Sequence, residues 1–347
     1  MTLRKDFARG WGIKNLPMNL PTTPSLGLAI LAGLSLVTPA LAVVNIDYVA
    51  VGNAGNAADN STGSLYGAVA YAYQIGKYEV TNAEYTAFLN AVDPAGANTN
   101  GIYNPNMGSS NFGGITYTSG AASGAKYTIR TSMGNKPVNY VSWYDAARFT
   151  NWLNNGQGSA STETGAYTLS GSSGFPTRNV SATVWLPSEN EWYKAAYYDP
   201  TPGAGGGDNY WLYPTRSNSA PTVATASASG DITNPGANVA NYNFGVSPAA
   251  KLTTAGSAAA NNYFGTADQG GNVWEWNDTV VVANTTRGLR GGSLFDHESF
   301  LRASTPNDVY PSNQGDNMGF RVASVPEPTS ILLTMFAGCV MLIRRKR

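Results

Sequence analysis

The chain has 347 residues, with 21 Lys+Arg balanced by 21 Asp+Glu, one histidine and one cysteine. A lone cysteine excludes a disulfide within the chain, and 11% aromatic residues exclude a simply disordered one, because rings supply area that a folded chain can bury. The balance of charge belongs to the whole chain and not to its middle, since the two ends are strongly basic.

Residues 1–42 open with Arg4, Lys5, Arg9 and Lys14, run through an apolar stretch at 26–37, and close on Pro39-Ala40-Leu41-Ala42. A basic start, a short apolar run and a small-x-small step predict a secretory signal cut after Ala42; the run is short for a spanning helix. Residues 43–70 predict an N-terminal strand and a Gly/Asn-rich loop. Residues 71–324 read as one domain with no repeat of fixed period, and the chain between the two ends, about 280 residues, is enough to bury a core without disulfides.

Within that domain, residues 73–80 are expected to be extended. Thr81-Asn82-Ala83-Glu84 then has capping-box spacing, followed by Tyr85, Phe88 and Leu89 on one helical face. The same order returns twice. An extended 138–141 leads to Ser142-Trp143-Tyr144-Asp145 with Phe149, Trp152 and Leu153 behind it. An extended 183–186 leads to Ser188-Glu189-Asn190-Glu191 with Trp192, Ala195 and Ala196. Each hydroxyl meets an unpaired N–H of the first turn, and each acid sits at the positive helix end. Residues 98–125, 159–174 and 203–236 are polar and Gly/Ser-rich and are expected as surface loops. Residues 270–276, 287–293 and 319–322 read as late strands between glycine turns. The fold class is α+β, with few short helices and strands.

The chain ends on Val325-Pro326-Glu327-Pro328, an apolar stretch at 331–343 and Arg344-Arg345-Lys346-Arg347. The apolar stretch is about one bilayer crossing and the basic cluster should stay cytoplasmic. Without the two ends, 13 basic residues face 19 acidic ones, a net charge of −6. That sign argues against nucleic acid and against anionic membranes, and it suits a cation or a neutral partner such as a sugar.

The tail resembles the PEP-CTERM sorting signal. The resemblance implies an exosortase-type processing enzyme as a partner and cleavage near Pro326. The membrane would be engaged only through the C-terminal tail, as a transient inner-membrane anchor, before release to the cell surface or extracellular matrix of a Gram-negative bacterium. A plain C-terminal anchor is the alternative.

Six segments in order carry a second resemblance. They are Gly76-Lys77-Tyr78-Glu79-Val80-Thr81-Asn82; Pro137-Val138-Asn139-Tyr140-Val141-Ser142-Trp143-Tyr144-Asp145-Ala146; Trp185-Leu186-Pro187-Ser188-Glu189-Asn190-Glu191-Trp192; Gly271-Asn272-Val273-Trp274-Glu275-Trp276; Arg290-Gly291-Gly292-Ser293; and Met318-Gly319-Phe320-Arg321. Together they resemble the formylglycine-generating enzyme (sulfatase-modifying factor) family from residue 71 to residue 324, which implies its variant of the C-type-lectin-like fold. The family's enzymes oxidise a sulfatase cysteine with copper held by two cysteines just after the Arg-Gly-Gly-Ser segment. The matching positions here are Asp296 and Leu301. Neither offers a soft thiolate, so no copper and no such oxidase chemistry are expected.

The resemblance implies calcium instead, as a structural ion. A first site would use the side chains of Asp268 and Glu275 and the carbonyls of Gly271 and Val273, an oxygen-only set on a glycine-rich loop. The alternative is that Glu275 pairs with a core arginine and Asp268 is a turn residue. A second site would use Asn241 and the Tyr242 carbonyl, although residues 243–267 supply no acid. By analogy with relatives that display variable ligand-binding residues near this end, a ligand surface is expected from Phe295, Asp296, His297, Phe300, Asn307, Tyr310 and Asn313.

His297 stands beside Asp296, Glu298 and Ser299, but neighbours along a strand point to opposite faces, and no nucleophile-elbow pattern accompanies it. Tyr103, Trp211, Tyr213, Tyr263, Phe295 and Tyr310 lie in loops, where exposed rings would suit a sugar or peptide. Arg290, Arg302 and Arg321 are expected in buried pairs, and most motif tryptophans in the core. The expected function is a non-catalytic binding module for a polysaccharide or a surface protein. The alternatives are an enzyme of another kind on the same scaffold and a matrix component without a specific ligand.

Overall fold

The computed structural model describes residues 43–171, 173–243 and 251–326; the expected signal and the apolar tail from residue 327 lie outside these. Among the described residues no helix is long and apolar enough to cross a membrane.

Three helices begin where the capping boxes predict: α1 (Asn82–Val92), α3 (Trp143–Asn154) and α4 (Glu189–Tyr197), with a single turn α2 (Asn106–Ser109) between the first two. In all three boxes the hydroxyl accepts from the N3 amide and the N3 carboxylate accepts from the cap amide. Two unpaired donors are satisfied per helix by residues three apart, so the signal is local and survives any tertiary context.

The strands are short and assemble from distant parts of the chain. β1 (Tyr48–Val51), β2 (Tyr73–Gly76), β5 (Val184–Trp185) and β12 (Ala323–Ser324) form an antiparallel sheet in the order β1-β2-β12-β5. The 43–70 stretch therefore contributes an edge strand to the domain sheet. A second sheet has the order β10-β9-β8-β11, from β8 (Trp274–Val280), β9 (Arg287–Arg290), β10 (Asn307–Val309) and β11 (Met318–Phe320), with β11 parallel to β8. The hairpin of β3 (Ile115–Tyr117) and β4 (Tyr127–Ile129) and the pair β6 (Thr222–Val223) with β7 (Val239–Ala240) complete the ladders. Residues 138–141, expected to be extended, join no ladder; only Pro137 bridges to Thr81.

α1 and α3 meet through their apolar faces. Phe88 lies 5.4 Å from both Phe149 and Trp152, and Phe149 lies 5.4 Å from Phe320 of the second sheet, mostly edge to face. This arrangement puts ring edges on ring faces, the favourable sense for aromatic quadrupoles. The motif tryptophans are core: Trp143, Trp152, Trp192 and Trp276 are fully buried, and their indole N–H groups donate to Asn277 O, Gly158 O, Glu275 and Val141 O. Four arginines, Arg148, Arg287, Arg290 and Arg321, are buried with them.

Candidate functional site

The loop before β8 is built around Arg321. Its Nε donates to Glu275 Oε2 at 2.6 Å and its Nη2 to Glu275 Oε1 at 2.7 Å, while Trp192 Nε1 donates to Glu275 Oε2 at 2.7 Å. Both partners of this ion pair are fully buried. Glu275 is thus the carboxylate partner of a core arginine, the alternative weighed for it from sequence: a buried guanidinium draws it because each charge is costly alone. Asp268 takes a left-handed backbone, φ 57°, and accepts from the Gly256 amide. Burial pushes its carboxyl up to about 6.

A third carboxylate, Glu79, joins this group. It is buried, neither of its oxygens has a hydrogen-bond partner, and burial followed by the charge of Asp268 holds it well above the usual carboxylate range. Glu79 was not singled out from sequence. The available signal was an acid between the strand run and the helix cap, flanked directly by Tyr78 and Val80. Among the described residues no three of His, Cys, Asp or Glu are arranged to hold a metal. Two buried carboxylates, Asp268 and Glu79, remain without a cationic hydrogen-bond partner, an acidic excess that suits a hard cation in charge.

The two expected calcium loops lie side by side, because Asn241 and Gly271 form a parallel bridge. Gly271 has φ +88°, and a Cβ there would sit 2.2 Å from Asn241 O, so close approach requires glycine. The Asn241 side chain is committed to a buried polar ladder, its Nδ2 donating to Lys251 O at 2.9 Å and Asn272 Oδ1 at 3.0 Å. Tyr242 donates its hydroxyl to Pro221 O at 2.5 Å. Val273 packs with Leu252 and Leu294, against Phe112 and Phe295.

The expected ligand surface divides. Phe295 is half-buried, 5.1 Å from Phe112, and Asp296 locks its own turn by accepting from Ser293 N at 2.9 Å and Ser293 Oγ at 2.5 Å. Phe300 packs edge-on to Trp274 at 6.1 Å and remains 41% exposed; Tyr310 is 61% exposed. Asn307 lies in β10 and caps Asp308 N, and Asn313 closes a turn onto Tyr310 O. Of the other loop rings, Tyr103 and Tyr213 are buried and Tyr263 is exposed, so the expectation of exposure holds for only part of the group.

His297 corrects the strand argument. Residues Glu298–Leu301 form a 3₁₀ turn, and its curvature brings the neighbours together. His297 Nε2 lies 2.7 Å from Glu298 Oε2, and Nδ1 lies 3.4 Å from Ser299 Oγ. The histidine is open to water, where such a pair is weak. Arg290 pairs with Glu189 at 2.5 Å and Arg321 with Glu275, as expected, whereas Arg302 donates to the Tyr213 hydroxyl rather than to an acid.

Residues 48–325 match the Sulfatase-modifying factor enzyme 1-like domain. Among solved structures, the chain is similar to Treponema denticola variable protein 1 at 18% identity, covering 82% of this chain and 97% of that one, with a TM-score of 0.48. It is similar to CarF at 21% identity, covering 82% and 100%, with a TM-score of 0.47. It is also similar to PvdO from Pseudomonas aeruginosa at 20% identity, covering 74% and 82%, with a TM-score of 0.37. No curated protein matches.

Proposed function

The chain belongs to the sulfatase-modifying factor enzyme 1-like family, and from that premise we propose that it is an exported, non-catalytic binding module of the cell surface or matrix, taking a polysaccharide or a surface protein. Its fold is the formylglycine-generating-enzyme-type variant of the C-type-lectin-like fold, α+β and poor in regular structure. The observation that carries the non-catalytic part is the composition of the site. The chain has one cysteine, Cys339, and the positions matching the family's copper-binding pair hold Asp296, tied to Ser293, and Leu301, fully buried. A carboxylate locked in its own turn and a buried aliphatic side chain cannot hold Cu(I). Function follows the site and not the scaffold.

The export route rests on the two ends: signal cleavage after Ala42, and a PEP-CTERM tail processed near Pro326 by an exosortase-type enzyme. Calcium belongs to this reading as a structural ion, with Asp268 and Glu79 as its carboxylates and the carbonyls of Gly271 and Val273 completing an oxygen set. The support for it is the orphaned Glu79 carboxylate beside Asp268. The test is binding of the purified chain to extracellular polysaccharide from the producing cells, with calcium and then with a chelator. Saturable binding that the chelator removes is the expected result. Absence of binding in both conditions would sink the polysaccharide reading, and binding indifferent to chelator would remove calcium from it.

A further inference from the structure

Two clefts share one wall, the loop of residues 93–103. The first, about 440 Å³, is lined by Tyr103, Tyr117 and Tyr127 together with Asn98, Ser109 and Thr116. The second, about 460 Å³, has Asn98 again, with Thr99, Asn100, Ser161 and Glu163. Both fall in the size range of small-ligand sites, and one is aromatic while the other is polar.

The aromatic cleft is a three-ring cluster, with centroids 5.2 to 6.0 Å apart. Glycines admit the rings: a Cβ at Gly96 would lie 2.5 Å from the Tyr117 ring, and one at Gly108 would lie 2.7 Å from the Tyr103 hydroxyl. Tyr117 is 36% exposed. The shared loop is held in advance. Asp93 accepts from the amides of Ala97 and Asn98 at 2.8 and 2.9 Å and from the Tyr127 hydroxyl at 2.5 Å. Asn98 brackets Tyr103, accepting from its N–H at 3.0 Å and donating to its carbonyl at 2.8 Å. In the polar cleft, Asn100 donates to Glu163 Oε1 at 3.2 Å, and Glu163 is itself anchored on the buried Arg148 at 2.7 Å. A wall ordered before binding does not have to be ordered by the ligand.

The charge of the lining selects the ligand. Asp93 and Glu163 contribute carboxylates, and no Lys, Arg or His lines either cleft. An anionic sugar would meet carboxylates at the surface, while the Arg148 guanidinium behind them is buried and already paired with Glu163, out of the ligand's reach. We infer that the paired clefts around Asn98 bind an uncharged oligosaccharide, one sugar ring stacked on Tyr117 and the next hydrogen-bonded along Thr99, Asn100 and Glu163. This rests on the polysaccharide reading of the module and moves its ligand away from the 295–313 segment.

The experiment is calorimetric titration of the full chain with a neutral glucan hexamer and with a hexamer of the corresponding uronic acid. The neutral hexamer should bind and the acidic one should not. Tyr117→Ala should weaken binding about tenfold, Tyr117→Phe should keep it, and Asn100→Ala, at an exposed side chain, should weaken it severalfold. Preference for the uronic hexamer would overturn the inference. So would full affinity in both Tyr117→Ala and Asn100→Ala with loss in Tyr310→Ala, a result that leaves the binding-module reading standing on the other surface. Failure of every hexamer and of native polysaccharide to bind would overturn both.

Discussion

Arg321→Met removes the guanidinium that Glu275, Asp268 and Glu79 all feel. Arg321 makes five hydrogen bonds: two to Glu275 at 2.6 and 2.7 Å, and one each to the carbonyls of Gly76, Lys77 and Ala267 at 2.9, 3.1 and 3.0 Å. Methionine replaces much of the volume, so the loss is electrostatic rather than a cavity. Removing one partner of a buried pair costs about 3–5 kcal/mol because the other charge stays buried and uncompensated. The three carbonyls that lose a donor place the expectation at the upper end, about 5 kcal/mol. For a domain of this size that is a fall in Tm of about 10–15 °C. Urea denaturation followed by near-UV circular dichroism, on Arg321→Met, Glu275→Leu and the double variant, measures it. The double variant should be more stable than Arg321→Met alone, since the Glu275 charge is no longer left stranded, yet less stable than wild type, since three carbonyls lose the donor that Arg321 supplied. An Arg321→Met variant within about 1 kcal/mol of wild type, or a double variant showing the full sum of the single losses, would refute this account of the interior.

Two further outcomes follow from the same geometry. Ser188→Ala should cost about 1 kcal/mol, because Ser188 Oγ caps Glu191 N at 3.2 Å while Glu191 stays fixed by Arg178 and Trp185; a thermal melt checks it, and no change would mean the cap contributes nothing. Burial pushes the Asp278 carboxyl up to about 7, against about 4 for a free aspartate. Between those values the native state holds a proton that the unfolded chain releases, so this contribution is complete below about pH 4 and lost as pH rises through about 7. Asp278→Asn should therefore gain stability relative to wild type from about pH 5 to about pH 8 in urea titrations; a difference that does not change with pH would exclude the titration of Asp278.

How much was legible depends on the reach of each interaction. Thr81, Ser142 and Ser188 announced their helices because a capping box closes within four residues and needs no partner elsewhere. The apolar face of Phe149 and Trp152, the burial of the motif tryptophans and the pairing of Arg290 and Arg321 followed from residue type, since a large ring or a guanidinium among apolar neighbours has few places to go. The choice of partner for Glu275 did not follow. Calcium and a core arginine both satisfy a buried carboxylate, and only the parallel docking of β11 on β8 brings Arg321 to it. Glu79 escaped notice for the same reason, as its neighbours Asp268 and Arg321 are almost 200 and more than 240 residues away along the chain.

The sequence by itself determined the helix starts, the α+β class, the family scaffold with one cysteine, and the basic ends. Tertiary structure alone decided which rings are exposed and which clefts exist. Tyr103 and Tyr127 are buried because β3 pairs with β4 and Asn98 ties its loop to Tyr103, and Tyr117 on the same hairpin keeps its face to water. Exposure is a property of what packs on top, set by contacts between distant segments whose closure no local pattern encodes.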